Sequence, residues 1–142
     1  MEVSQVRRRV QAALAAARER SQQRRQRVAD AEGQYDRFLA DVAVPLARQV
    51  ANVLKAEGRS FTVSTPGRNV RLEPDRGRDD FVEITLNTEV DPPDVVGLIR
   101  YTRGSRTIDE ERPVKSGVAP DQISEDDLLE FLLRALEPWI ER

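Results

Sequence analysis

Apolar residues open the chain at Val3, Val6, Val10, Ala13, Leu14 and Ala17, and resume at Val28, Ala31, Tyr35, Phe38, Leu39 and Val42. Steps of three, four and seven dominate, which is the spacing of one helix face. Residues 2–40 hold no proline and a single glycine, Gly33. Two seven-residue rows stand out: Val3, Val10, Ala17, Arg24, Ala31, Phe38, and Leu14, Ser21, Val28, Tyr35, Val42. They resemble a coiled-coil seam with a polar gap at Ser21 and Arg24. Between Arg18 and Arg27 there is no apolar residue at all. A helix that is polar all round is solvent-exposed, held from its ends, or frayed.

Pro45 interrupts the second half of this run. Inside a helix it removes one hydrogen bond and imposes a kink or a break. Apolar residues return at Leu46, Val50, Val53 and Leu54, so the pattern predicts a helix kinked or broken near Pro45 and ending about Glu57, with Gly58 as the stop. A continuous helix over residues 3–57 would be about 80 Å long. A compact domain of this size is about 35–40 Å across. The helix must therefore break and fold back, or project, and a projecting helix with a weak seam points to a dimer or higher oligomer.

After residue 58 the period changes to two. Phe61 and Val63, Val70 and Leu72, and Val82, Ile84 and Leu86 alternate with polar neighbours. Asp94–Arg103 is apolar on both faces near Val95, Val96, Leu98 and Ile99, which suits a central strand, and Gly104-Ser105 turns it into residues 106–111. Connections this short allow only an antiparallel meander of four to five strands. Ser124 followed by Glu125, Asp126 and Asp127 reads as a capped helix start. The apolar helix behind it covers one sheet face, and Pro138 ends or kinks it. The fold class is thus α+β: residues 1–57 form a long helical region for self-association, and residues 58–142 a sheet with its C-terminal helix.

Composition sharpens this outline. The chain has 142 residues, about one domain, and 34% are charged. The basic residues are arginine except for Lys55 and Lys115, a bias that suggests a GC-rich bacterial genome. Residues 1–40 carry nine arginines against five acids, whereas residues 121–142 carry seven acids against two arginines. Oppositely charged helices attract, within or between chains. There is no cysteine, so no disulfide framework, and no stretch reaches membrane-span length; the N-terminal run reads as helix rather than signal peptide. A cytoplasmic location is expected.

Histidine is also absent, which removes the commonest general base and most zinc sites. Asp79, Asp80 and Glu83 gather beside Arg76 and Arg78 and have the chemistry for an acid–base pair or for magnesium, though a solvated loop is the plainer reading. Asp109, Glu110 and Glu111 read as a charged strand edge. No glycine lies in a phosphate-binding motif. Arg68 and Arg71 flank one turn, and Arg100, Arg103 and Arg106 flank another; at one end of the sheet they would form an anion-attracting rim. Asp80, Glu83, Arg100 and Arg103 would converge if they share the exposed face.

The expected function is that of a non-enzymatic protein which homo-oligomerises through its N-terminal helix, dimer favoured, and binds a protein partner. An alternative is nucleic-acid binding through Arg18, Arg20, Arg24, Arg25 and Arg27. Against it, the sequence pI is about 5.4 and the segment has no aromatic residue for stacking. A small anionic ligand on the sheet face is a further alternative. No cofactor, metal or catalytic residue is expected, and the alanine- and valine-lined first helix is poorly suited to a membrane surface.

Overall fold

The computed structural model describes residues 1–76 and 79–141. It is α+β: a long N-terminal helix, a five-stranded antiparallel sheet, and a C-terminal helix. Helix α1 (Val3–Phe38) passes through a π-turn (Leu39–Ala43) into α2 (Val44–Ala56) without a break.

The π-turn is how the helix accommodates Pro45. Val44 donates its N–H to the carbonyl of Leu39, five residues back, and Pro45 has no N–H to offer. The buried residues are Ala31, Tyr35 and Phe38 before the turn, Ala43 at its end, and Ala47, Val50 and Ala51 after it. The step from Phe38 to Ala43 is one residue too long for a regular helix face. In an uninterrupted α-helix Ala43 would be rotated about 100° away from its present side. The wide turn absorbs that residue and lets both halves face the sheet. It also changes the expected register of α2: Ala47 and Ala51 are buried, while Val53 points to solvent.

Gly58, at φ +85°, ends α2. Its N–H donates to Lys55, and that of Arg59 donates to Leu54 at 2.8 Å, which together close the last turn.

The strands are β1 (Phe61–Ser64), β2 (Val70–Pro74), β3 (Phe81–Asn87), β4 (Asp94–Arg103) and β5 (Arg106–Pro113), side by side in chain order. β4 is the longest and is paired on both sides, but β3 holds the middle place. Register aligns Val70 with Ile84, Leu72 with Val82, and Val82 with Ile99 on the face that meets the helices. Alternation puts Arg71, Glu83, Leu98 and Arg100 on the other face.

Helix α3 (Glu125–Ala135) starts at a capping box. The Ser124 hydroxyl accepts from the Asp127 N–H, and the Asp127 carboxylate accepts from the Ser124 N–H. Leu128, Leu132 and Leu136 are fully buried against the sheet. Gly97 of β4 permits the close approach: a Cβ there would lie 2.1 Å from Cζ of Phe131. Pro138 sits in a separate last turn, α4 (Glu137–Ile140), which brings Trp139 into the core.

Candidate functional site

The least enclosed part of the molecule is the first half of α1. From Val3 to Arg27 every residue is exposed except half-buried Ala17. Contact with the body starts at Val28 and Ala31, and Tyr35 donates its hydroxyl to the Ile84 carbonyl at 3.2 Å. Burial, with the nearby Glu83 and Asp36 carboxylates, pushes the Tyr35 phenol well above its usual pKa.

Two ion-pair groups fasten this junction. Arg27 reaches Asp91 in the β3–β4 loop, with Nε to Oδ1 at 3.0 Å and Nη2 to Oδ2 at 2.7 Å. These hydrogen bonds hold the Asp91 carboxyl below the ordinary range and raise the Arg27 guanidinium. Arg68, on the β1–β2 turn, pairs with Glu32 at 3.4 Å and Asp36 at 3.8 Å. Ahead of Arg27 the helix projects for about 36 Å at 1.5 Å per residue; this segment is called the arm below.

The arm has two distinct sides. Val3, Val6, Val10, Leu14 and Ala17 form one stripe, in line with Val28, Ala31 and Tyr35. Arg7, Arg18 and Arg25 form a row along one side of the stripe, and Arg9, Arg20 and Arg27 a row along the other. Both rows arise because intervals of eleven and seven residues are close to three and two full helical turns. Arg24 falls within the stripe's line. The back carries Gln5, Ala12, Glu19, Gln23 and Gln26, with Arg8. The stripe is open to solvent: Val3 is 76% exposed, Val6 42%, Val10 52% and Leu14 51%. Among the described residues, Arg7, Arg9, Arg18, Arg20 and Arg25 have no ion-pair partner.

The sheet residues singled out from the sequence divide into separate groups. Arg71 donates from Nε to Glu83 at 2.9 Å, and its guanidinium lies 4.2 Å from the Phe81 ring centroid. Arg100 donates to Asp109 at 2.7 Å and flanks the same ring at 5.5 Å. Arg71 and Arg100 therefore flank Phe81 on the open face, Glu83 is held there by Arg71, and Phe81 and Arg100 line a depression of about 310 Å³. Asp80 does not join them. Three residues from Glu83 in an extended strand, it points to the opposite face, where it is 3% exposed. There its carboxylate accepts from Nε1 of Trp139 at 3.2 Å and from the Thr102 hydroxyl at 3.0 Å. Arg103 lies with Tyr101, 5.8 Å from that ring.

The two arginine-flanked turns form no common rim. In a meander the connection after β1 and the connection after β4 fall at opposite ends of the sheet. Arg68, Arg71 and Arg100 are each already paired with carboxylates. No metal-ligating cluster exists among the described residues, and Arg78, next to Asp79, lies outside them.

Nothing in the local sequence distinguishes Arg27 from the neighbouring arginines. Asp91 is 64 positions away and offered no local signal. The burial of Asp80 under Trp139 was also missed; the alternation of Asp80 with Val82 and Ile84 was the available clue. Among the described residues no helix is long and apolar enough to cross a membrane. No family model matches the chain, and no curated protein or solved structure is significantly similar to it.

Proposed function

We propose that this chain is a non-enzymatic assembly protein that self-associates through the arm, with a dimer as the favoured state, and presents the resulting surface to a protein partner. The observation behind this reading is the open stripe Val3–Val6–Val10–Leu14 bracketed by two arginine rows. Covering such side chains contributes about 1 kcal/mol or more each. Association costs about 4–15 kcal/mol in lost freedom. The stripe alone is therefore insufficient, and the bracketing charges must contribute. Light scattering on the full-length chain tests the reading: a mass above the 16.1 kDa of one chain supports it, and a strict monomer at all concentrations removes it.

A second reading rests on the exposure of Arg18, Arg20, Arg24 and Arg25, which suits a phosphate backbone. Fluorescence anisotropy with a labelled duplex and a labelled single strand at low salt addresses it. Binding that disappears with Arg24→Glu and Arg25→Glu favours nucleic acid; no binding at micromolar protein excludes it.

A further inference from the structure

Given the self-association proposed above, on which this step rests, we infer that the arm of one copy docks on the outer face of α3 of a second copy, and not on another arm. The outer face of α3 is the counterpart of the arm in shape and charge. Leu129 and Leu133 lie one turn apart; Leu129 is half-buried at the edge of the core, Leu133 is exposed, and Ile140 is exposed beyond them in α4. Around α3, Glu125 lies on one side of this line and Asp126 and Glu130 on the other, and Glu137 opens α4 beyond them. An apolar line between acidic rows thus faces an apolar line between arginine rows.

Both lines cover twelve residues, Val3 to Leu14 within α1 and Leu129 to Ile140 across α3 and the short turn α4. The acids are available: among the described residues Glu125, Asp126 and Glu137 have no ion pair, and Glu130 has only the exposed Arg134 at 3.7 Å.

Two competing arrangements fit less well. The chain's own α3 packs beside Leu39–Ala43. Leu14 lies about 37 Å back along a continuous helix from that point, so the arm cannot fold onto it. Arm against arm would bring together two segments that each carry eight arginines against two glutamates between Glu2 and Arg27. Like charges across an interface oppose association, whereas residues 121–141 offer seven acids against one arginine.

The absence of cysteine provides a clean test. Chains carrying Leu14→Cys and Leu133→Cys, both at exposed positions, are mixed and oxidised, and self-association of the unsubstituted chain is followed by sedimentation as salt rises. The expected result is a predominant disulfide between the two different variants, with association that weakens as salt screens the attraction. Glu130→Arg with Glu137→Arg should weaken association about tenfold or more, and reversing one arginine row of the arm, Arg7→Glu with Arg18→Glu or Arg9→Glu with Arg20→Glu, should restore it. If Leu14→Cys chains link mainly to each other, association strengthens with salt, or the α3 reversal has no effect, the α3 docking is overturned while self-association stands. A monomeric unsubstituted chain overturns both.

Discussion

Arg27 holds Asp91 through both ends of its guanidinium, at 3.0 and 2.7 Å, and so ties α1 to the β3–β4 loop where the arm leaves the body. This pair divides a packed helix from a projecting one. Both residues are solvent-exposed, so Arg27→Ala should leave global stability nearly unchanged. Amide exchange from Val28 to Ala31 should rise instead. Unaltered exchange there would show that the junction is held by other contacts.

The same pair sets an acid response. The Asp91 carboxyl is held low by Arg27, and the Asp127 carboxyl by the Ser124 N–H and by Lys115. Groups with depressed folded pKa values contribute stability above the ordinary carboxylate pKa of about 3.9 and lose it as pH falls through the folded values. Fluorescence from a probe on the arm should therefore report loosening only below about pH 3.9. Asp91→Asn should remove that step; its persistence in the variant would assign it to other groups.

At high pH the relevant group is Tyr35. Its folded pKa is raised by burial and by Glu83 and Asp36, so its contribution is complete below about 10 and lost as pH climbs through the folded value. Absorbance titration of tyrosinate should show a late step that is missing in Tyr35→Phe. An identical titration in both proteins would contradict the burial of this hydroxyl.

Gly97→Ala places a methyl group 2.1 Å from Cζ and 2.5 Å from Cε1 of Phe131. The overpacking should cost about 1–3 kcal/mol in urea unfolding. Phe131→Leu on the same chain should recover part of the loss, because the clash is with the far end of that ring. A neutral Gly97→Ala would mean α3 lies farther from β4.

Ser124→Ala removes the hydroxyl that caps α3 while leaving the acids of its first turn. A loss of about 1 kcal/mol is expected. Unchanged stability would indicate that Asp127 alone secures the helix start.

The legible parts of this fold were those with local causes. Period-two alternation and turn residues marked out an antiparallel meander of four to five strands, of which the structure has five, and Ser124 with Asp127 marked the start of α3. The π-turn was not legible, because it depends on the five-residue step from Phe38 to Ala43, and alanine suits core and surface equally. The side taken by Asp80 follows from its alternation with Val82 and Ile84, but its burial depends on Trp139, 59 positions away. The distinct role of Arg27 required a partner brought near only by the folded loop. The stripe of the arm was readable as a helix face, but whether it was covered depended on where the body ends.

Whether the arm's stripe is an association surface is decided by sedimentation equilibrium of full-length Val10→Asp, Leu14→Asp against the unsubstituted chain. Both residues are exposed, so circular dichroism should be unchanged. The unsubstituted chain should be heavier than one 16.1 kDa protomer, and the variant should sediment as a monomer. Equal masses for the two proteins, whether both associated or both monomeric, would contradict it.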